Sequence, residues 1–177
     1  MGSLKSGFLT ELELGRMVPT VNKLAEYRIH MEDDYASEVG SIVSRCRILK
    51  SKHQISLVVV DYLQLVDSHK SRNADRPERL VADVSRSLRR MAKELDLVVI
   101  GLSQLNDDGK LRDCRAIGHD ADVVLIIEPS ESEDKFARDI VIEKQRDGER
   151  GKRVPVSFHG QYMRFESLKI LREAGIE

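Results

Sequence analysis

Apolar and polar positions recur with two different periods along this chain, and the switches between them mark out its elements. Thr10 to about Glu26 has helical spacing and is expected to form one or two short helices broken near Pro19, where the amide donor is missing. Tyr27 to Met31 reads as a short strand. Asp33 and Asp34 then offer N-cap oxygens to a helix whose apolar face is Tyr35, Val39, Ile42, Val43, Cys46 and Leu49. Ile55 to Leu63 is apolar on both faces, the pattern of a strand buried in a sheet covered by helices. Ser68 to Arg76 is a polar loop. Pro77 opens a long helix, where its missing N–H costs nothing, and Leu80, Val84, Leu88, Met91 and Leu95 form its stripe. Leu97 to Ser103 and Val123 to Ile127 are further buried strands. Phe136–Arg146, Arg153–Phe158 and Tyr162–Phe165 then read as strands, with a turn at His159-Gly160 and a short helix from about Leu168 to Ala174. Strand–helix–strand order followed by hairpins predicts an α/β sheet, parallel in its middle and antiparallel at one edge.

Composition narrows the class without naming a function. With 177 residues, 41% hydrophobic and 33% charged, the chain fits one globular domain with a real core. No apolar run approaches the roughly 20 residues that span a bilayer, so no membrane partner is expected. The net charge of −1 supplies no global attraction for nucleic acid, so any such site must be local. Cys46 and Cys114 match no zinc or redox spacing, which suits a reduced, cytoplasmic protein, and the five histidines show no ligand pairing. Met1 to Ser3 reads as a tag remnant, and residues 1–7 are not counted in the fold.

Two polar positions stand at strand ends. Asp61 follows four apolar residues in LVVVDYLQL, at the expected carboxyl end of a central strand, where open α/β sheets bind ligands. A carboxylate there suits a nucleotide-bound magnesium ion, or it is simply a strand-end or helix-capping group facing water. Ser103-Gln104-Leu105-Asn106 ends the next strand. The Gln104 amide suits a γ-phosphate or a water, unless the segment is only a loop entry. Near the carboxyl end, Lys144 and Arg146 lie two apart, so on a regular strand they project together about 6.6 Å from one another. Ile140 and Ile142 would share that face. Arg86, Arg89 and Arg90 lie off the long helix's apolar stripe and read as a solvated or subunit-facing surface.

The segments DYLQL, SRSLRRMAKELDLVVIGLSQLN, LRD…HDADVVLII and EKQRDGERGKRVPVSFHGQYMRFES stand in one order. Together they resemble the C-terminal motor domain of DnaB-type replicative helicases, over roughly Leu4 to Ser167. The resemblance implies a RecA-like P-loop NTPase core, truncated at its amino end, that uses ATP and magnesium. Asp61 would be the Walker B aspartate that meets magnesium through the nucleotide. Gln104 would report the γ-phosphate to the DNA loops. Arg112, Asp113 and Arg115 would hold single-stranded DNA phosphates in a hexamer's channel, and Lys144 and Arg146 would reach the neighbouring subunit's ATP. Primase and a helicase loader would be the protein partners.

The sequence also departs from that family. It contains no GxxxxGK[ST] phosphate cradle, and GSLKSG at Gly2 to Gly7 lacks both the spacing and the ending of one. The catalytic glutamate of the family has no counterpart either. The loop after SQLN is only DDGK, Asp107 to Lys110. Arg115 stands where the family favours glycine, and His119 where it favours glutamine. The first reading is therefore part of an ATP-driven DNA helicase, silent in isolation. The alternative is a P-loop-less, non-hydrolysing module that binds DNA or a helicase. A recombinase-type ATPase remnant fits the EKQR…FHGQYMRFE ending less well.

Overall fold

The computed structural model describes residues 7–33, 38–67, 77–105 and 115–167. The expected loop at Ser68–Arg76, the closing helix at Leu168–Ala174, and Arg112 and Asp113 lie outside the described residues. The chain divides into two compact units, one of Met1–Asp33, Glu133–Ala137 and Val156–Glu177, the other of Asp34–Ser132 and Arg138–Pro155.

In the first unit, α1 runs unbroken over Glu11–Ala25, with Pro19 inside it. A capping box starts it: Glu13 N donates to Thr10 Oγ1 at 3.3 Å, and Thr10 N donates to the Glu13 carboxylate at 2.9 Å. Proline removes the donor that would meet the Gly15 carbonyl, but no residue of α1 is buried, so water can serve that oxygen. The expected break at Pro19 is thus absent. Tyr27–Met31 is irregular rather than a strand. Strand β5 (Arg153–His159), of which Val156–His159 belong to this unit, pairs antiparallel with β6 (Arg164–Ser167), Val156 opposite Ser167 and His159 opposite Arg164. The connection is a tight turn in which Met163 takes a left-handed φ of 51°.

The second unit holds the main core. Helix α2 (Val39–His53) starts later than Asp33 and Asp34 predict: its N-cap is Glu38, without a side-chain capping bond. Tertiary pairing decides this start, because Glu38 bridges Asp67 and Val39 N donates to the Asp67 carbonyl at 2.8 Å. Helix α3 (Pro77–Leu95) begins at Pro77 as expected. Its residues Val81, Val84, Leu88 and Met91 pack with Val39 and Cys46 of α2 in one cluster. Arg47 links the helices from outside by a bidentate pair to Glu94, Nε donating to Oε1 at 3.2 Å and Nη2 to Oε2 at 3.0 Å.

Beneath these helices lie β1 (Leu57–Val60) and β2 (Val98–Gly101), parallel and in register from Leu57/Val98 to Val60/Gly101. Val58, Val60 and Val99 meet the helical cluster. Leu57, Val59, Val98 and Ile100 point the other way and are 44–62% exposed. Among the described residues the pair is therefore covered on one face, not on two as its apolar run predicts. Helix α4 (Arg115–Asp120) leads into β3 (Val123–Pro129), which pairs antiparallel with β4 (Ala137–Gln145). The antiparallel strands follow the order β3-β4-β5-β6.

Candidate nucleotide edge and basic junction

Asp61 directly follows β1 and is exposed at the carboxyl end of the parallel pair. The Asp61–Tyr62 peptide bond is cis. The chain then turns through a short 310 segment, Leu63–Leu65. Two backbone bonds fasten this turn to the end of β2: Leu102 N donates to the Val60 carbonyl and Leu63 N to the Leu102 carbonyl, each at 2.9 Å. Leu63 itself is 3% exposed and lies against Gly101. The polar ends of β1 and β2 are thereby brought to one edge, as ligand sites of open α/β sheets require.

Gln64 closes the arrangement. Its amide nitrogen donates to Ser103 Oγ at 2.9 Å, and its amide oxygen accepts from Gln104 N at 3.5 Å. One side chain thus ties the turn after Asp61 to the segment carrying Gln104, which is itself exposed. Gln64 was not singled out from the sequence. The available signal was a polar residue between Leu63 and Leu65 in an otherwise apolar run.

An exposed carboxylate and an exposed amide, one at the end of each parallel strand, fit part of a magnesium–nucleotide site: an oxygen ligand for the ion and a donor for a phosphate oxygen. The phosphate cradle has no counterpart in these 177 residues. Among the described residues no three His, Cys, Asp or Glu side chains gather as a metal site.

The basic residues sit elsewhere in this unit. The register of β3 and β4 slips between Val124 and Leu125, because Leu125 faces Ile142 while Val124 faces Lys144, leaving Glu143 as an extra residue. Directly paired residues share a face. Lys144 therefore lies on the face of Val124, Ile126 and Val141, opposite Ile140 and Ile142. The regular alternation that put Lys144 with Ile140 and Ile142 fails at this bulge. The Lys144 ammonium donates to the carbonyls of Gly118 at 2.7 Å, His119 at 3.2 Å and Ala121 at 2.7 Å. Arg146 lies just past β4, pairs with the Asp122 carboxylate at 3.1 Å, and donates its backbone N–H to the Asp122 carbonyl at 3.0 Å.

Arg115 is the first residue of α4. Arg89, expected on a solvated or subunit-facing surface, instead meets Asp120 at the other end of α4, at 3.8 Å. Arg86 pairs along its own helix with Asp83 at 3.2 Å.

Comparison with known proteins agrees with this geometry. The family model for the DnaB-like helicase C terminal domain matches residues 1–167. The replicative DNA helicase DnaB of Geobacillus stearothermophilus is 31% identical across 94% of this chain and 40% of its own length. That of Pasteurella multocida is 36% identical across 82% of this chain and 34% of its own. The chain thus spans about 40% of the first of these relatives. Among solved structures, the ATPase domain of G40P superposes with a TM-score of 0.79 at 27% identity, covering 94% of this chain and 64% of that one. A DnaB-like replicative helicase, solved in a study of its interactions with primase, gives 0.76 at 28% identity over 89% of this chain and 42% of its own. A KaiC-like protein from Pyrococcus horikoshii gives 0.52 at 14% identity, over 68% and 53% of the two chains, and shares the fold alone. A RecA-like α/β fold, a polar edge built from DYLQL and SQLN, and a family match over most of the chain agree: this chain belongs to the DnaB-like helicase C-terminal domain family.

Proposed function

We propose that this chain contributes the magnesium-facing and phosphate-sensing edge of a replicative DNA helicase motor, which couples ATP hydrolysis to movement along single-stranded DNA and to duplex unwinding. The observation that carries this reading is the Gln64 bridge between the Asp61 turn and the Gln104 segment. In that role Asp61 holds magnesium through its water shell, and Gln104 meets the terminal phosphate. Arg112, Asp113 and Arg115 hold DNA phosphates, and Lys144 and Arg146 are the basic pair that reaches the neighbouring subunit's ATP. The assembly is a hexamer in the cytoplasm. Primase is a partner, by likeness to the relative studied with it, and a helicase loader is another.

A second reading is a non-hydrolysing module that binds DNA or a helicase. Both readings expect no ATP turnover from the purified 177 residues. They part when a polypeptide carrying GxxxxGK[ST], encoded beside this chain, is supplied. Turnover that appears with it and disappears in Asp61→Ala supports the motor. A stable complex without turnover supports the module. Turnover by the purified chain alone, abolished by Asp61→Ala, contradicts both.

A further inference from the structure

The parallel ladder ends before the residue that carries the exposed amide. Strand β2 stops at Gly101, and backbone bonds then tie Leu102 to Val60 and Leu63. At Ser103 and Gln104 side chains take over from the strand. Gln104 N donates to Gln64 Oε1 at 3.5 Å, Gln64 Nε2 donates to Ser103 Oγ at 2.9 Å, and Ser103 Oγ donates to the Gln104 carbonyl at 3.3 Å. These three bonds close a ring that begins and ends on the main chain of Gln104. Its direction is fixed by chemistry: a backbone N–H can only donate, so the Gln64 oxygen faces Gln104 and the Gln64 amino group faces Ser103. The hydroxyl accepts there and keeps its own proton for the carbonyl, having one donor and two lone pairs. Gln64 and Ser103 are half-buried, whereas Gln104 is exposed.

From this ring we propose that Gln64 and Ser103 are positioning residues, which hold both backbone groups of Gln104 and so aim its side-chain amide from the sheet edge. The held N–H and carbonyl belong to the peptide units on either side of the Gln104 Cα. Fixing both restricts the conformations open to the side chain, as a group that must meet one phosphate oxygen requires. Gln64 lies in the 310 segment that follows Asp61, so a displacement of that turn reaches Gln104 through the ring. The nucleotide part of this proposal rests on the phosphate-sensing function proposed above; the positioning part does not.

The test uses the whole chain and two independent readouts. The first, taken without nucleotide, is the set of three-bond couplings that report the χ1 rotamer of Gln104 by nuclear magnetic resonance. Wild type is expected to show one dominant rotamer. Ser103→Ala removes the hydroxyl with little change in volume, and is expected to raise the population of the other rotamers about threefold. The amide resonances of Leu63 and Leu102, held by backbone bonds, stay in place. Gln64→Glu keeps the length of the side chain but loses its donor. The Ser103 hydroxyl then turns to the carboxylate and releases the Gln104 carbonyl, with the same expected gain in rotamers. Averaged couplings in wild type, or couplings unchanged in either variant, overturn the proposal. If Ser103→Ala does not fold, the wild-type couplings and Gln64→Glu decide.

The second readout is ATP turnover with the polypeptide that carries GxxxxGK[ST] supplied. A residue that acts only by aiming Gln104 has no effect once that amide is gone. Ser103→Ala is therefore expected to lower kcat about tenfold with KM for ATP held within about twofold, and to change neither when Gln104 is already alanine. Losses that add in the double variant mean that Ser103 acts by another route, and overturn the proposal. A raised KM with unchanged kcat means that Ser103 contacts the nucleotide itself, and overturns it as well. Absence of turnover in the wild-type pair counts against the motor reading alone, and the rotamer measurement still decides the positioning.

Discussion

Substituting Gly101 by alanine tests how tightly the Asp61 turn is seated. A Cβ added at Gly101 lies 3.0 Å from Leu63 Cδ2, 3.1 Å from Cδ1 and 3.3 Å from Cγ. Ordinary contact begins near 3.4 Å, so Leu63 must yield by several tenths of an ångström. It has little room, being 3% exposed within the helical cluster and bonded through its amide to the Leu102 carbonyl. Overpacking of this kind costs about 1–3 kcal/mol. Restricting the unfolded chain at a glycine returns about 0.4–1 kcal/mol. The net expectation is a loss of about 1–2 kcal/mol. With a urea dependence of about 2 kcal/mol per molar, the unfolding midpoint falls by about 0.5–1 M. Leu63→Ala alone removes a buried side chain and costs about 2–5 kcal/mol. In the double variant the new methyl group occupies part of that space, so the combined loss falls short of the sum by about 1 kcal/mol or more. A Gly101→Ala chain as stable as wild type, or strictly additive losses, refutes the packing argument.

Two further predictions concern the same unit. Gln64→Leu keeps the volume but removes both bonds of the bridge. It is expected to cost about 1–2 kcal/mol, and the resonances of Ser103 and Gln104 should shift while those of α2 stay in place; resonances unmoved at Ser103 and Gln104 refute the bridge. Burial pushes the Cys46 thiol above its ordinary range, so the folded state retains a proton that the unfolded state releases. The stabilising contribution is complete below the unfolded thiol's pKa and declines as pH rises from there through the folded value. Wild type should therefore lose stability from about pH 8.5 upward more steeply than Cys46→Ala. Equal slopes in the two chains remove Cys46 from the explanation.

The features legible in the sequence are those set by local periodicity. The apolar run Leu57–Val60 becomes β1 and carries Asp61 to the sheet edge. Pro77 opens α3, and Val84, Leu88 and Met91 fall on its buried face. His159-Gly160 marks the β5–β6 turn. Side-chain period and turn chemistry act over a few residues, so no knowledge of partners is needed to read them.

What only the tertiary structure decided depends on groups distant in the chain. The start of α2 is set by Asp67, not by the acidic pair at Asp33 and Asp34, because a strand bridge supplied the first backbone bond. The face of Lys144 is set by one extra residue in β4, which inverts the alternation on which the pairing with Ile140 and Ile142 relied. Gln64 acquires its role from Ser103 and Gln104, about forty positions away. Sequence alone determined the family and the polar edge at Asp61, since both reside in contiguous runs. The destination of the Lys144 charge required the fold, because a long-range register and the end of a short helix together select its partners.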